Sequence, residues 1–432
     1  MPEAFNWSWV QSQVAQAIGL WDQCAGLPLP DGRRYTPEEQ QKRENAYDDT
    51  LRSVERELRH AHRTRAERLA TQNRLIATFA CFAANALDLE EPAIQLITDD
   101  FLPVGAEFAR QARRFDSTLN RADLIQACRN AWTACGLQPL LGERSELTPS
   151  ITGYSLLYPY TDNFLDSKDV TAGAKHCFSE RFRARLRGDG ISALDPREAR
   201  LWALVEMIEE QYPRPYYPQV FDSLLAIHRA QEQSIVQQGG ELCGDSQILQ
   251  ISCAKGGTSV LADACLVRGW LNEEESRFAF NWGALLQLGD DLQDLREDLG
   301  SGSLTLFSLA AALGRPLDSL VAQLLNFSEQ VAAGMKPLPD GTQTLRGLLR
   351  TSWRSLIIGA IGNAHQFFSP EFLAQVEARS PFRFAFLRSR QQKLTSRKGL
   401  YTVLFDAFLE APESNPRALP HAELRPPLLQ AL

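Results

Sequence analysis

Gln287-Leu288-Gly289-Asp290-Asp291-Leu292-Gln293-Asp294 lies inside a helical pattern that runs from Glu273 to Leu299 and is closed by Gly300-Ser301-Gly302-Ser303. Residues three and four apart share one face of an α-helix, so the spacing predicts that Asp290, Asp291 and Asp294 project from one stripe. A second acidic run, Asp162-Asn163-Phe164-Leu165-Asp166-Ser167-Lys168-Asp169, carries Asp162, Asp166 and Asp169 at similar spacing. Like charges one turn apart destabilise a helix by roughly 0.2–0.5 kcal/mol per exposed pair, and by more where water is excluded. Cations offset that cost. Mg²⁺ takes hard oxygen ligands and keeps positions for waters and phosphates, so one or two carboxylates per ion plus a diphosphate complete its shell. Two facing acidic helices would clamp a diphosphate through bridging metals. The metal-ligand candidates are therefore Asp162, Asp166, Asp169, Asp290, Asp291 and Asp294.

Outward from these runs the period stays helical. Thr36-Pro37-Glu38-Glu39 combines a cap residue, a Pro at the first helical position and a Glu that can close a capping box. Arg121 to Leu137 reads as a helix with Leu124, Ile125, Cys128 and Trp132 on its buried face, and Tyr158-Pro159-Tyr160-Thr161 reads as a loop with a Thr cap before the first acidic run. Asp99-Asp100 reads as a turn and capping pair. Ile248 to Leu266 is helical but contains Lys255-Gly256-Gly257-Thr258-Ser259, and each glycine there costs about 1 kcal/mol relative to Ala. Close approach of a ligand or of another helix would account for the pair. No series of alternating strands and no fixed-period repeat occurs, so the expected class is all-α. The expected organisation is an N-terminal extension over 1–35, one helical domain over 36–410 and a Pro-rich tail over 411–432.

The 432 residues are 44% hydrophobic and 23% charged, which suits a soluble globular chain with a large interior. A net charge of −8 argues against nucleic acid as a partner. The eight cysteines form no CxxC pair, and no secretory leader opens the sequence, so a reduced cytoplasmic setting is the expectation. The most apolar short run, Leu356 to Ile361, ends at Asn363 and His365 and is too short to span a bilayer. His176, His228 and His365 have no partner at zinc-ligand spacing, and no GxSxG elbow or P-loop is present.

Gln287-x-x-Asp290-Asp291-x-x-Asp294 resembles the second aspartate-rich motif of polyprenyl diphosphate synthases, while Asp162-x-x-x-Asp166 is similar to the first motif of squalene and phytoene synthases. Lys255 to Ser259 is similar in position to the Lys-Thr element between the two motifs. Together these resemble the class I isoprenoid synthase superfamily. The resemblance implies a helical bundle around an apolar cavity, three Mg²⁺ ions, a prenyl diphosphate substrate and catalysis through Asp162, Asp166, Asp290 and Asp294. It implies substrate-binding roles for Lys255, Arg129, Gln287 and Arg296, with Lys168, Lys175, Arg181, Arg183, Arg268 and Arg397-Lys398 as further cations. Tyr154, Tyr158, Tyr160, Phe164 and Trp282 are candidate cavity aromatics. Related folds often dimerise, and the sequence leaves the oligomeric state open.

Two departures shape the expected activity. Chain-elongating synthases carry Arg-Arg-Gly after the first motif and Gly-Lys-Arg upstream, for a second diphosphate; here Asp166 is followed by Ser-Lys-Asp-Val-Thr and no Gly-Lys-Arg precedes it. The second motif also differs from the DxxxD of squalene and phytoene synthases. The leading expectation is a Mg²⁺-dependent terpene synthase or cyclase that ionises one linear prenyl diphosphate to a hydrocarbon or alcohol. A head-to-head or elongating prenyltransferase is the enzymatic alternative, and a non-catalytic isoprenoid-binding homologue or partner subunit is the alternative of another class.

Overall fold

The computed structural model describes residues 5–58, 64–167, 169–238 and 244–396; of Arg65, Tyr158, Asp166, Gln238 and 391–396 only the backbone is described. Lys168, Arg397, Lys398 and the tail from 411 lie outside the described residues. The described residues contain helices and no strand. In chain order the first helices are α1 (Trp7–Gln23), α2 (Pro37–Leu58), α3 (Arg65–Ala86), α4 (Glu91–Gln95), α5 (Leu102–Phe115), α6 (Arg121–Leu140) and α7 (Pro149–Asp166). They are followed by α8 (Ala172–Arg187), α9 (Pro196–Gln211), α10 (Pro218–Ser234), α11 (Asp245–Arg268) and α12 (Glu273–Gln293). The last are α13 (Leu295–Ser301), α14 (Leu306–Ala312), α15 (Asp318–Ala333), α16 (Gln343–Asn363), α17 (Pro370–Glu377) and α18 (Phe384–Ser396).

Local sequence sets these starts. At α2 the expected box is present: Glu39 N–H donates to Thr36 Oγ1 at 3.2 Å, and Thr36 N–H donates to the Glu39 carboxylate at 2.8 Å. Asn120, Thr148, Thr171, Asp195 and Asn272 likewise accept a backbone N–H at the starts of α6, α7, α8, α9 and α12, each satisfying one of the four unpaired donors there.

Helix α11 is the axis of the molecule. Its residues from Ile248 to Val267 are buried on nearly every side, the pattern of a helix surrounded by others. It packs most extensively on α12 and also touches α10, α6, α1 and α7. The glycines explain the tight crossing with α12. A Cβ on Gly256 would fall on the Gly283 carbonyl oxygen and 2.5 Å from Gln287 Cβ, and one on Gly257 would lie 2.5 Å from the Phe280 ring. Close approach of backbones is therefore what the glycine pair serves, and it brings the Lys255 stretch directly against the second acidic motif.

Several elements depart from the sequence reading. Helix α7 runs straight through Tyr158-Pro159-Tyr160-Thr161, because its cap is Thr148 with Pro149 at the first position. An interior Pro costs about 3 kcal/mol, and burial of Ile151, Leu156, Leu157 and Leu165 on that helix offsets it. The helix then ends at Asp166. Ser167 turns out of the helical region and its Oγ accepts the Asp169 N–H at 3.2 Å, so Asp169 lies in an exposed turn and not on the Asp162 stripe. At the second motif the expected single helix is broken at Asp294, which closes α12 before α13 begins. Asp99 and Asp100 sit in a π-helical turn, Leu96–Phe101, that leads into α5. Pro103 follows it and supplies no N–H to the regular ladder. On α6, Ile125 and Trp132 are on the exposed side, while Leu124 and Cys128 are buried as expected.

The segment 1–35 contributes a packed helix. Trp9, Val10, Val14, Ala17 and Trp21 of α1 are buried against α11, α12 and α15. No helix among the described residues is long and apolar enough to cross a membrane.

Candidate active site

A cavity of about 520 Å³ opens between α6, α10, α11, α12 and α16, with the Leu96–Phe101 turn along one edge. Its lining is mostly apolar: Ile97, Phe101, Leu102, Ile227, Val260, Leu286, Leu349 and Leu356, with Trp132, Trp282 and Trp353. Trp132 joins two of its walls by donating its indole N–H to the Phe101 carbonyl at 3.0 Å. Trp282 and Trp353 meet at 5.2 Å between ring centroids and, being 3% and 4% exposed, mark the closed end.

Exposed and half-buried polar groups mark the open end. Gln126 and Arg129 of α6, Lys255 of α11, and Gln287 and Asp290 of α12 all line the cavity. Arg129 Nη2 is 2.8 Å from Asp290 Oδ1, and both side chains are substantially exposed. The Gly256–Gly283 crossing holds Lys255 and Gln287 on adjoining walls.

The remaining acidic candidates are placed differently. Asp291 is buried and turned towards α11, where it accepts from Ser252 Oγ at 2.9 Å and from Gln287 Nε2 at 2.8 Å. Adjacent helical residues point about 100° apart, so Asp291 cannot share the Asp290 stripe. Burial pushes its carboxyl up to about 7 against those two hydrogen bonds. Asp294, one turn beyond Asp290, is raised by partial desolvation and then by the charges of Asp290 and Glu297. Asp298 continues the stripe and is raised to about 6 by burial, then by Asp294. Asp162 is buried on α7 and its Oδ1 accepts from Gln231 Nε2; Gln231 itself reaches the cavity wall. Asp166 ends α7, and its side chain lies outside the described residues.

Other cations are engaged elsewhere. Arg296 is exposed and donates to Gln366, away from the cavity lining. Arg181 pairs with Glu198 at 2.8 Å, Arg183 with Glu232 at 2.6 Å, Arg185 with Glu209 at 2.5 Å and Arg268 with Glu275 at 2.6 Å. Of the aromatic candidates, Trp282 lines the cavity. Tyr154 donates to the Ser259 carbonyl at 3.2 Å, Tyr160 donates to Asp116 at 2.6 Å, and Phe164 packs on Phe178 beneath the Arg197 guanidinium.

Residues that the sequence did not point to also reach the cavity. Asn130 of α6 donates to Ser155 Oγ at 3.2 Å and to Asp263 Oδ1 at 3.1 Å, and both Asn130 and Asp263 belong to the lining. Asp263 follows Lys255 and Ser259 at intervals of four residues, the one-face spacing that could have picked it out. A lone Asp in an apolar helix gave no other signal.

Among the described residues no three His, Cys, Asp or Glu side chains are grouped so as to hold a metal ion by themselves. The Asp290–Asp294–Asp298 stripe nonetheless has the chemistry of a hard-cation donor set: carboxylates spaced one turn apart, with Asp294 and Asp298 raised in part by their neighbours' charge. Mg²⁺ is commonly held by one or two carboxylates together with substrate phosphates and waters.

No protein-family model matches the chain, and no curated protein matches it in sequence. Among solved structures the chain is similar to the geranylgeranyl pyrophosphate synthetase from the archaeon Geoglobus acetivorans. The identity is 14% and the TM-score 0.38, over 69% of this chain and 99% of that one.

Proposed function

We propose that this chain is a Mg²⁺-dependent class I isoprenoid synthase that ionises one linear prenyl diphosphate, with a terpene hydrocarbon or alcohol as product. The observation that carries the reading is the polarity of the cavity: the exposed Arg129 and half-exposed Asp290 with the half-buried Lys255 and Gln287 on one side, and the buried Trp282 and Trp353 with aliphatic side chains on the other. A prenyl diphosphate has the same two-ended character. Arg129 and Lys255 contact the diphosphate oxygens, Arg129 through its planar fork. Asp290 and Asp294 would hold Mg²⁺, with Asp162 and Asp166 as the expected contribution of α7, and ions held there would supply positive charge to the departing diphosphate. The apolar walls exclude water from the allylic cation, and the faces of Trp282 and Trp353 stabilise positive charge in the closed end.

Asp291 serves this reading as a support. Its bonds to Ser252 and Gln287 hold the α11–α12 wall together beneath the diphosphate position. A chain-elongating prenyltransferase needs a second diphosphate in line with the allylic carbon. The arginines on α8 are paired with Glu198, Glu232 and Glu209, which favours the single-substrate reading.

The test is incubation of the full chain with C10 to C25 prenyl diphosphates and Mg²⁺, reading inorganic diphosphate release and the mass of the organic extract. Consumption of one diphosphate alone, with an apolar product, is the expected result. Entry of labelled isopentenyl diphosphate into longer diphosphates would make the chain an elongating synthase. Binding without any diphosphate release would make it an isoprenoid carrier.

A further inference from the structure

Arg129 and Asp290 both line the cavity, and Arg129 Nη2 donates to Asp290 Oδ1 at 2.8 Å, joining the α6 wall to the α12 wall. The same oxygen accepts from Gln293 Nε2 at 3.5 Å, a much weaker contact. The two charged side chains are 57% and 39% exposed, so water screens the pair and both side chains keep room to turn. Lys255 lines the α11 wall of the same cavity, and its ammonium makes no hydrogen bond or ion pair among the described residues. The two cations at the open end therefore differ: one is already occupied by a carboxylate.

That occupation opposes either half of a metal–anion ligand when it comes alone. An anion that takes the Arg129 fork must displace Asp290 or lie beside its negative charge. A divalent cation bound to Asp290 lies about 2.0–2.1 Å from a carboxylate oxygen, while the guanidinium stands 2.8 Å from Oδ1 of the same group. Like charges would then be held a few ångströms apart. When both arrive together the opposition disappears: the anion takes Arg129, the cation takes Asp290, and two attractive contacts replace one. A monocarboxylate only exchanges one carboxylate for another at Arg129. A diphosphate brings several charges, pairs with the guanidinium fork through two oxygens and offers others to the cation.

We propose that the Arg129–Asp290 pair is an exchangeable latch at the open end of the cavity, made in the empty protein and broken by a diphosphate that arrives with a divalent cation. The proposal rests on the synthase reading, which supplies that ligand, and adds how the site disfavours either component alone. Arg129 acts on the cation through Asp290, and Asp290 acts on the anion through Arg129. Each is thus a positioning residue for the other's ligand.

A double-mutant cycle tests it, read by isothermal titration of the full chain with inorganic diphosphate in the absence of divalent cations. Asp290→Asn should tighten diphosphate binding about fivefold, the upper end for release of an exposed ion pair. In the Arg129→Gln background the same change should leave the affinity unaltered, because no guanidinium remains to be released. Mn²⁺ binding without diphosphate, followed by electron paramagnetic resonance, reads the other half. Arg129→Gln should tighten it about fivefold, whereas Lys255→Gln, which removes an equal charge that is not bonded to Asp290, should leave it within about twofold. A gain from Asp290→Asn that persists in the Arg129→Gln background would show simple charge repulsion and overturn the latch. Equal Mn²⁺ affinities in wild type and Arg129→Gln, an equal gain in Lys255→Gln, or no diphosphate binding by Asp290→Asn would overturn it too. Thermal melts of each variant establish that it is folded. Failure of the latch appears in the affinities for each component alone, whereas failure of the synthase reading appears as absent diphosphate release from prenyl diphosphates with Mg²⁺, so the two are separable.

Discussion

Asp290 and Asp291 are neighbours in sequence and opposites in the structure, and the difference governs what each substitution should do. Asp290→Asn removes a carboxylate from the cavity lining and Asp294→Asn removes the one a turn beyond it; on the synthase reading each should lower diphosphate release at least about a hundredfold, the scale for removing one preorganised charge-stabilising group. Far-ultraviolet circular dichroism should remain unchanged, since Asp290 is half-exposed and pairs with the exposed Arg129. Near-wild-type release by the Asp290→Asn/Asp294→Asn double variant would remove the stripe from the mechanism. Asp263 yields a prediction of pH dependence. Its folded carboxyl is raised far above the unfolded value of about 3.9. The protonated native state therefore contributes stability in full below about pH 4, and that contribution is lost as pH rises towards the folded value. Asp263→Asn keeps an acceptor for Asn130 and removes the titration, so its gain in melting temperature over wild type should be larger at pH 8 than at pH 5. A gain independent of pH would show that Asp263 does not titrate on unfolding. The acidic pair itself was legible from the sequence, because like charges in an apolar helix need a cause. The inward turn of Asp291 was not, because its partner Ser252 lies on another helix.

At the scale of elements, α11 and α12 form the site by crossing at glycine. Gly256→Ala would set a methyl group against the Gly283 carbonyl and Gln287 Cβ, and neither can retreat without parting the helices. Overpacking of this kind costs about 1–3 kcal/mol. The variant should melt lower than wild type and lose diphosphate release together with stability, whereas Gly347→Ala on α16, where nothing meets an added Cβ, should melt no lower than wild type and keep diphosphate release. Wild-type stability in Gly256→Ala would mean that the two helices have slack. The helical class was readable from period and caps, as at Thr36, because these signals are local. Pro159 misled for the same reason: tertiary burial of α7 outweighs a local breaker. Asp169 fell off the expected stripe because a single Ser167 hydroxyl ends the helix early.

The whole molecule is organised around α11, and α1 returns across the chain to cover it together with α12 and α15. That long-range packing places residues near the N-terminus in the core, which no local pattern announces. The cavity is equally non-local, since its walls come from helices spread from α6 to α16. A ligand that bridges those walls must stabilise the assembled bundle and not the unfolded chain. On the proposed synthase reading the smallest such ligand is Mg²⁺ with inorganic diphosphate, the anion expected at Arg129 and Lys255 and the cation at Asp290 and Asp294. By linkage the gain is RT ln(1 + [L]/Kd), about 2.7 kcal/mol when the ligand is at a hundred times its Kd. Mg²⁺ alone relieves only the repulsion along one stripe, and diphosphate alone faces the negative charge of Asp290. Differential scanning calorimetry at constant ionic strength should therefore show a rise in melting temperature with both together that exceeds the sum of the two separate rises. Asp290→Asn should remove the excess. A joint shift no larger than that of magnesium chloride alone would mean that the open end of the cavity does not hold a metal–diphosphate complex.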